Sequence, residues 1–223
     1  MLHLTKIESL KEIDNSLIQE INKIGKMRYF QRGSFAFDSD DTLKNFYIII
    51  KGVIKVFQYN PENNKEQTLY LLKSQDFFDV LTLLDGRSHE VMTKALDDCE
   101  VLELPIEKVR EWIETTPAFN KAFLPYIAKR MREVEELASD LSLLDTSARL
   151  IKLLLKNLDK TSKHIPLIHS FSHEDIASMI GSVRQVVNRQ LQELKKEGII
   201  NIKRKKITVN SLDKLLSKIS SQY

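Results

Sequence analysis

The sequence predicts an α+β protein built from an N-terminal antiparallel β-roll (a jelly roll), a long helix and a C-terminal domain of short helices followed by a β-hairpin. Three observations predict this fold. Short β-rich runs alternate with turn-prone residues over residues 28–104, apolar residues recur every three or four positions over 117–144, and two short helical patterns precede a basic hairpin. These changes predict domains at 1–115, 116–145 and 146–223.

The N-terminal region begins with a helix predicted over residues 8–24, where apolar side chains recur with helical spacing. Several short strands then follow at nearly regular intervals, and Asn60-Pro61 opens a hairpin loop between two of them. The predicted strands are FYIII (46–50), GVIKVF (52–57), QTLYLL (67–72) and CEVLEL (99–104). Short strands in this arrangement are typical of an antiparallel barrel or jelly roll.

A short helix is predicted over 106–114 and a much longer one from Pro117 to about Leu144. The long helix carries apolar residues that step by 4, 3, 4 and 3, namely Ile127, Met131, Val134, Ala138 and Leu141. This spacing is the signature of a coiled-coil seam and predicts a homodimer. The alternative is a core helix that packs on its own β-roll, and one helix with two faces can do both.

Composition excludes several classes of protein. The 223 residues include one cysteine, so an intrachain disulfide and a four-thiolate iron–sulfur cluster within one chain are excluded. The N-terminus lacks the apolar core of a signal peptide, and the longest strongly apolar run, Phe46–Ile50, is far shorter than the roughly 20 residues of a membrane span. No Gly-rich phosphate loop, nucleophile elbow or metal-spaced His/Cys cluster indicates an enzyme. We expect a cytoplasmic protein with no membrane partner.

The net charge of +3 hides an uneven distribution along the chain. Residues 146–223 hold 15 Lys and Arg against 6 Asp and Glu, a net +9, which leaves −6 for residues 1–145. A basic third attached to an acidic remainder indicates that the C-terminal part meets a polyanion.

The stretch GSVRQVVNRQLQELKKEG predicts a helix over about 183–197, after a first helix over about 173–180 and a turn at Gly181. On a helical wheel, Val183, Val186, Val187 and Leu194 share one side, with Leu191 at its edge. Arg184, Gln185, Asn188 and Arg189 share the other side. An outward face of Arg, Gln and Asn on the second helix of such a pair predicts base reading in a DNA groove, whereas without this context it would predict a solvated surface.

The hairpin predicted at IINIK (199–203) and KITV (206–209) carries a run of cations with no base-reading geometry. Charge of this kind suits the phosphate backbone of DNA. Phosphate contacts are predicted for Ser172, His173, Ser182, Lys203, Arg204, Lys205 and Lys206.

The segment FSHEDIASMIGSVRQVVNRQLQELKKEGIINIKRKKITV resembles the winged helix-turn-helix of the CRP/FNR family of bacterial transcription regulators. RYFQRGSFAF, FYIIIKGVIKVF and QDFFDVLTLLDGR are similar to the cyclic-nucleotide-binding β-roll of the same family. The resemblance covers nearly the whole chain. It implies a homodimer that binds a roughly palindromic operator in double-stranded DNA and contacts RNA polymerase.

The chain departs from this family where its cyclic AMP-binding members hold the nucleotide. The resemblance places Asp79-Val80 at the family's Gly-Glu pair and His89-Glu90 at its Arg-Ser or Arg-Thr pair. No Arg or Lys replaces the phosphate partner there, although Arg87 lies two residues away. On the long helix, Val134-Glu135 aligns with the polar pair that touches adenine. We therefore place an effector pocket at Asp79, Val80, His89 and Glu90, for an effector that is not cyclic AMP or for none.

Other sensing chemistries have residue requirements of their own. Residues 1–30 contain no cysteine, which excludes the family's iron–sulfur sensor. A haem sensor would need an axial ligand, and His3 and His89 are the candidates on that side, with surface or packing histidines as the alternative interpretation. Cys99 is either a redox thiol or a small core residue. No cofactor is predicted.

Two further classes of function compete with a transcription regulator. A nucleotide-sensing module without DNA binding, as found on kinases or channels, is disfavoured by residues 172–209. An enzyme is disfavoured by the missing catalytic motifs. The outward face of the second helix also lacks the Glu that both well-known family branches use, and Gln185 and Asn188 favour adenine, so we expect an operator that differs from the familiar half-sites.

Overall fold

The computed structural model describes residues 15–159, 161–165, 171–203 and 206–220. By its internal contacts the chain forms two compact units. The first contains the described residues up to Phe57 together with Tyr70–Val134, and the second contains Gln58–Leu69 together with the residues from Glu135 onward. The division between the units falls inside the long helix.

The first unit begins with helix α1 (Asn15–Ile24), which buries Leu17 and Ile21. The N-terminal part of the helix predicted over 8–24, and His3, lie outside the described residues. Strands β1 (Lys26–Phe30), β2 (Asn45–Lys51), β5 (Phe77–Phe78) and β7 (Cys99–Pro105) form one sheet in the order β1-β7-β2-β5. Strands β3 (Ile54–Asn60), β4 (Lys65–Leu72) and β6 (Met92–Ala95) form a second sheet in the order β4-β3-β6.

The antiparallel roll is therefore confirmed, with all four predicted strands present. Strand β7 pairs antiparallel with both β1 and β2, for example Tyr47 with Glu103. Strands β1, β5 and β6 are additional to the predicted strands. Short helices α2 (Ser39–Thr42) and α3 (Val80–Asp85) are also additional, and α3 lies in a run that resembles a strand by composition.

Apolar side chains from both sheets and the following helices form the core of this unit. Helix α4 (Ile106–Thr115) buries Trp112, and helix α5 (Pro117–Leu143) buries Phe123 and Tyr126 against Phe46 and Phe77. Helix α5 confirms the long helix at nearly its predicted bounds, and Pro125 lies within it. The buried positions of α5 belong to its first half, which fixes that half on the roll.

The second unit continues with helices α6 (Thr146–Lys156), α7 (His173–Met179) and α8 (Arg184–Lys196). Strands β8 (Ile200–Lys203) and β9 (Lys206–Val209) form an antiparallel hairpin, and helix α9 (Leu212–Ser220) follows. The core of these elements comes from buried apolar residues on each of them, among them Leu150, Ile176, Leu191, Ile207 and Leu215. The order of helix, helix, helix and hairpin confirms the winged helix-turn-helix.

Candidate nucleic-acid interface

Helix α8 presents one apolar and one polar side, as the wheel predicts. Val187, Leu191 and Leu194 are buried, and they hold the helix against its neighbours. The predicted base-reading side chains, Arg184, Gln185, Asn188 and Arg189, are all exposed. The structure thus brings the four together on a free surface in the first half of the helix, the half that reaches base edges in a helix-turn-helix.

Two apolar residues of this helix differ from the wheel. The wheel places Val183 on the packed side, but its side chain is 45% exposed. The prediction is wrong there because Val183 is the N-cap, with extended backbone angles (φ −118°, ψ 151°), so that it lies outside the helical turn. Leu191, which the wheel places at the edge, is fully buried.

Helix α7 is fixed at its start by a complete capping box. The Ser172 hydroxyl accepts a hydrogen bond from the Asp175 backbone N–H at 3.1 Å, and the Asp175 carboxylate accepts one from the Ser172 backbone N–H at 3.0 Å. Such reciprocal bonds satisfy two donors that a helix start otherwise leaves open. The predicted phosphate residue Ser172 therefore already has a structural role.

The turn between the helices depends on Gly181, whose φ is +61°. A Cβ at this position would come within 2.6 Å of the Leu141 Cδ2 atom, so the turn fits only a glycine without adjustment. After the turn, the Ser182 backbone N–H donates to the Ala177 carbonyl at 2.9 Å. The predicted phosphate residues His173 and Ser182 flank the two helix starts and are half-buried.

The basic wing is anchored by apolar residues at its base. Ile200 pairs with Val209 and Ile202 with Ile207, while Lys203 and Lys206 pair at the tip. Lys203 is exposed, which suits the predicted phosphate contact. Arg204 and Lys205 lie outside the described residues, and of Lys206 only its place in β9 is described.

One residue of this surface was missed by the sequence reasoning. Glu174, in the first turn of α7, holds the Arg184 guanidinium in an ion pair of 2.9 Å between Oε1 and Nη1. The only available signal was a Glu followed by an Arg across a predicted helix turn, and many surface pairs share that spacing.

In the first unit, the predicted effector-pocket residues lie in different environments. Asp79 is buried and accepts hydrogen bonds from the Leu81 N–H at 3.1 Å and the Thr82 hydroxyl at 3.0 Å. Its Oδ2 also lies 2.8 Å from His89 Nδ1. Val80 packs on the apolar core, whereas Glu90 and Arg87 are exposed. Asp79 and His89 thus form an internal pair where the family resemblance places the nucleotide.

A second cluster in the first unit was also missed. The Arg130 guanidinium lies 2.7 Å from Asp76 Oδ2 and 2.7 Å from Glu133 Oε2, and its Nε donates to the Tyr126 hydroxyl at 2.8 Å. It also lies over the rings of Tyr70 and Tyr126, at 5.3 and 5.1 Å from their centres. Burial raises the pKa of Tyr126 to about 12, so this phenol remains neutral and can accept the bond at neutral pH.

The predicted seam residues of α5 divide by exposure. Met131, Val134 and Ala138 are exposed, whereas Ile127 and Leu141 are half-buried. Leu124, one step before Ile127 in the same pattern, is 60% exposed. The stripe is therefore largely uncovered within one chain.

Metals, membranes and the single cysteine can be considered together. Within the described ranges, no three His, Cys, Asp or Glu side chains come together in a way that could hold a metal ion. None of the helices in those ranges has the length and apolar character needed to cross a membrane. Cys99 is buried in the core of the roll, and burial raises its thiol pKa, which keeps it protonated and unreactive at neutral pH.

Comparison with known proteins agrees with both halves of this description. Residues 27–116 match the cyclic nucleotide-binding domain family, and residues 148–217 match the Crp-like helix-turn-helix domain family. The global nitrogen regulator of Nostoc sp. is 30% identical over 187 residues, which span 81% of this chain and 83% of that protein. The CRP-like cAMP-activated global transcriptional regulator of Mycobacterium tuberculosis is 23% identical, over 91% and 92% of the two chains.

Among solved structures, the CooA mutant from Carboxydothermus hydrogenoformans has a similar fold, with a TM-score of 0.77 at 19% identity. The similarity covers 96% of this chain and 94% of CooA.

Proposed function

Since the chain belongs to the CRP/FNR family of transcription regulators, with a helix-turn-helix DNA-binding domain and no enzymatic role, we propose that it acts as a homodimer on a roughly palindromic operator. Helix α8 of each copy reads bases in a major groove, and the wing rests on phosphates. The observation that carries this proposal is the exposed set Arg184, Gln185, Asn188 and Arg189 on a helix fixed from behind by buried Val187 and Leu191. Its cellular location is then the cytoplasm, where operators and RNA polymerase are found.

The homodimer is supported by the uncovered apolar stripe on α5. Leu124, Met131 and Val134 are each about half exposed or more in one chain, at the spacing of a coiled-coil seam. Two copies related by a twofold axis would cover the same stripe on each other. A twofold dimer also presents two α8 helices to two half-sites, centred about one helical turn of DNA apart.

We further propose that the effector of the β-roll is not cyclic AMP. The Asp79 carboxylate is buried and already has hydrogen-bonding partners in Leu81, Thr82 and His89. A cyclic phosphate placed beside it would bring a second negative charge next to a buried carboxylate, and an unpaired buried charge costs several kcal/mol. The names of several relatives record activation by cyclic AMP, and at Asp79 and His89 this chain departs from the motif that the resemblance assigns to such members.

Selection from random duplexes, followed by binding titrations, tests the DNA-reading proposal. Arg189→Ala should weaken binding to the selected operator by about 1–3 kcal/mol and relax the preference at one base pair per half-site. Lys203→Ala should weaken binding to all duplexes alike and reduce the slope of log K against log salt by about one unit. If Lys203→Ala changes the preferred sequence and Arg189→Ala does not, the wing rather than α8 is the reader.

The dimer and the effector have separate tests. Val134→Asp places a charge in the proposed seam and should give monomers by light scattering, while Glu135→Gln, an exposed neighbour, should leave the dimer intact. Calorimetric titration with cyclic AMP should show no saturable heat at micromolar concentrations. A dimeric Val134→Asp variant, or a micromolar dissociation constant for cyclic AMP, contradicts the corresponding part of the proposal.

Contact with RNA polymerase is part of the same proposal and is supported by the family alone. Transcription in vitro from a promoter that carries the selected operator checks it. We expect the wild-type protein to activate transcription, and an unchanged transcript level would contradict the contact.

A further inference from the structure

The ion pair between Glu174 and Arg184 joins the two helices of the helix-turn-helix. Arg184 is the first residue of α8, and Glu174 lies in the first turn of α7. Their side chains are 67% and 58% exposed, and the contact between Nη1 and Oε1 measures 2.9 Å. An ion pair this exposed contributes at most about 1 kcal/mol to folding, so its effect on stability is small.

The position of this carboxylate is nevertheless well defined. Its neighbour Asp175 is the residue that completes the capping box with Ser172, which leaves Glu174 outside the cap. Behind the pair, Ile176 and Ala177 of α7 and Val187 of α8 are buried, so the two helix backbones are fixed relative to each other. The distance that the Glu174 side chain must span to reach Arg184 is therefore set by the packed core.

The arginine end of the pair is the part that meets DNA in the proposed function. A guanidinium has five N–H donors in a planar fork, and reading guanine uses two of them. A carboxylate that holds Nη1 restricts how the fork can rotate and leaves other N–H groups free to donate. A contact group that is held in place by a supporting side chain discriminates better than one that moves freely.

The same carboxylate has a cost for binding. It lies on a surface that must approach a polyanion, so its charge is repelled by every duplex, whatever the sequence. A residue with these two effects lowers affinity for all DNA while sharpening the choice of one base pair.

We propose that Glu174 is a positioning residue for sequence specificity, which orients Arg184 toward its base pair and reduces sequence-independent affinity. This inference rests on the proposed function, because it takes α8 to be the helix that reads bases.

The test compares binding by the full-length protein to two duplexes by fluorescence anisotropy. The first is the operator selected by the wild type, and the second carries a changed base pair at the position where Arg184→Ala loses its preference. The ratio of the two dissociation constants is the discrimination at that position. Variants are Glu174→Gln, Arg184→Ala and the double variant.

Glu197→Gln is the matched control. Glu197 is an exposed carboxylate of the same unit, paired with Lys218 at 2.8 Å, and its substitution changes the charge by the same amount. Thermal unfolding of each variant, followed by circular dichroism, confirms that the fold is retained.

We expect Glu174→Gln to lower the discrimination ratio by about threefold or more, within the range that one bidentate base contact provides. It should also tighten binding to the mismatched duplex. In the Arg184→Ala background the same substitution should leave the ratio unchanged, because the group that Glu174 positions is absent. Glu197→Gln should leave the ratio at its wild-type value.

Two results would overturn the inference while leaving the proposed function intact. In the first, Glu174→Gln strengthens binding to both duplexes by one common factor, as the control does, so that Glu174 acts only through its charge. In the second, the ratio falls equally with and without Arg184. A wild-type protein with no sequence preference would instead refute the proposed function, and this inference with it.

Discussion

Replacing Arg130 with alanine should destabilise the first unit more than any change to an exposed cation of the same helix. Arg130 is 15% exposed and its partner Asp76 is 12% exposed, so both charges are largely withdrawn from water. The Asp76 carboxylate also accepts a hydrogen bond from the Lys73 backbone N–H at 2.7 Å. Removing the guanidinium leaves that carboxylate buried without its counter-charge.

The expected magnitude follows from the degree of burial. Breaking a fully buried ion pair from one side costs about 3–5 kcal/mol, and an exposed pair contributes about 0–1 kcal/mol. The small residual exposure of both partners places Arg130→Ala near the lower end of the first range, at about 3 kcal/mol. Loss of the contacts with the rings of Tyr70 and Tyr126 is included in that figure, because contributions within one cluster do not add.

The assay uses the single tryptophan, Trp112, which is buried in the first unit. Its fluorescence during urea unfolding reports on that unit, provided that all variants are compared at one protein concentration. Arg132→Ala is the control, since Arg132 is an exposed arginine on the same helix and its loss should change the free energy of unfolding by about 0.5 kcal/mol or less.

A double variant separates the buried charge from the lost contacts. Arg130→Met combined with Asp76→Asn removes both charges and keeps an oxygen that can accept from Lys73. It should recover part of the stability that Arg130→Met loses. If Arg130→Ala costs no more than Arg132→Ala, the reasoning about the buried pair is refuted.

Two further predictions concern the second unit. Glu136 lies 2.8 Å from Lys152 and 2.9 Å from Lys156, and these hydrogen bonds lower its pKa from 4.5 to about 2. Because its folded pKa is depressed, its contribution is present above pH 4.5 and is lost as the pH falls toward 2, so the difference in unfolding free energy between wild type and Glu136→Gln, measured by circular dichroism, should shrink over that window; a constant difference would refute it. Gly181→Ala should cost more stability than Gly198→Ala, since both have positive φ, which costs alanine about 1–2 kcal/mol, but only at Gly181 would the Cβ meet a described neighbour, Leu141; equal losses in denaturant titrations would contradict the clash.

The elements that the sequence predicts well are those with local causes. The capping box at Ser172 and Asp175 and the apolar side of α8 each follow from residues within one or two turns of helix. The long helix follows from the same kind of repeat. The base-reading face could be predicted because a packed apolar side leaves its opposite side exposed.

The features that the sequence did not reveal depend on distant partners. Strand β5 has only two residues, and it forms because Tyr47 and Ile48 of β2 pair with it. The Asp79–His89 pair and the Arg130 cluster likewise join residues that only the folded roll brings together. Val183 was misplaced for a local reason, since a wheel assumes helical angles at a residue that is an extended N-cap.

The long helix posed a question that periodicity could not settle, namely whether its apolar repeat packs on the roll or on a second chain. The structure shows two arcs on the first half of α5. Phe119, Phe123, Tyr126 and Arg130 recur at spacings of four, three and four, and they face the core of the first unit. Leu124, Met131 and Val134 lie about 90° further around the helix, at 100° per residue, and are exposed.

Ile127 falls between the two arcs, and its half-buried state follows from that position. A repeat of 3.5 residues was visible in the sequence because both arcs use apolar side chains, which widens the stripe. Only the second arc lacks cover within the described part of one chain, so a second copy of the helix is the partner that its spacing fits. The two alternatives therefore apply to different faces of α5, and the substitution that separates them is Val134→Asp, which changes the exposed arc and leaves the packed one untouched.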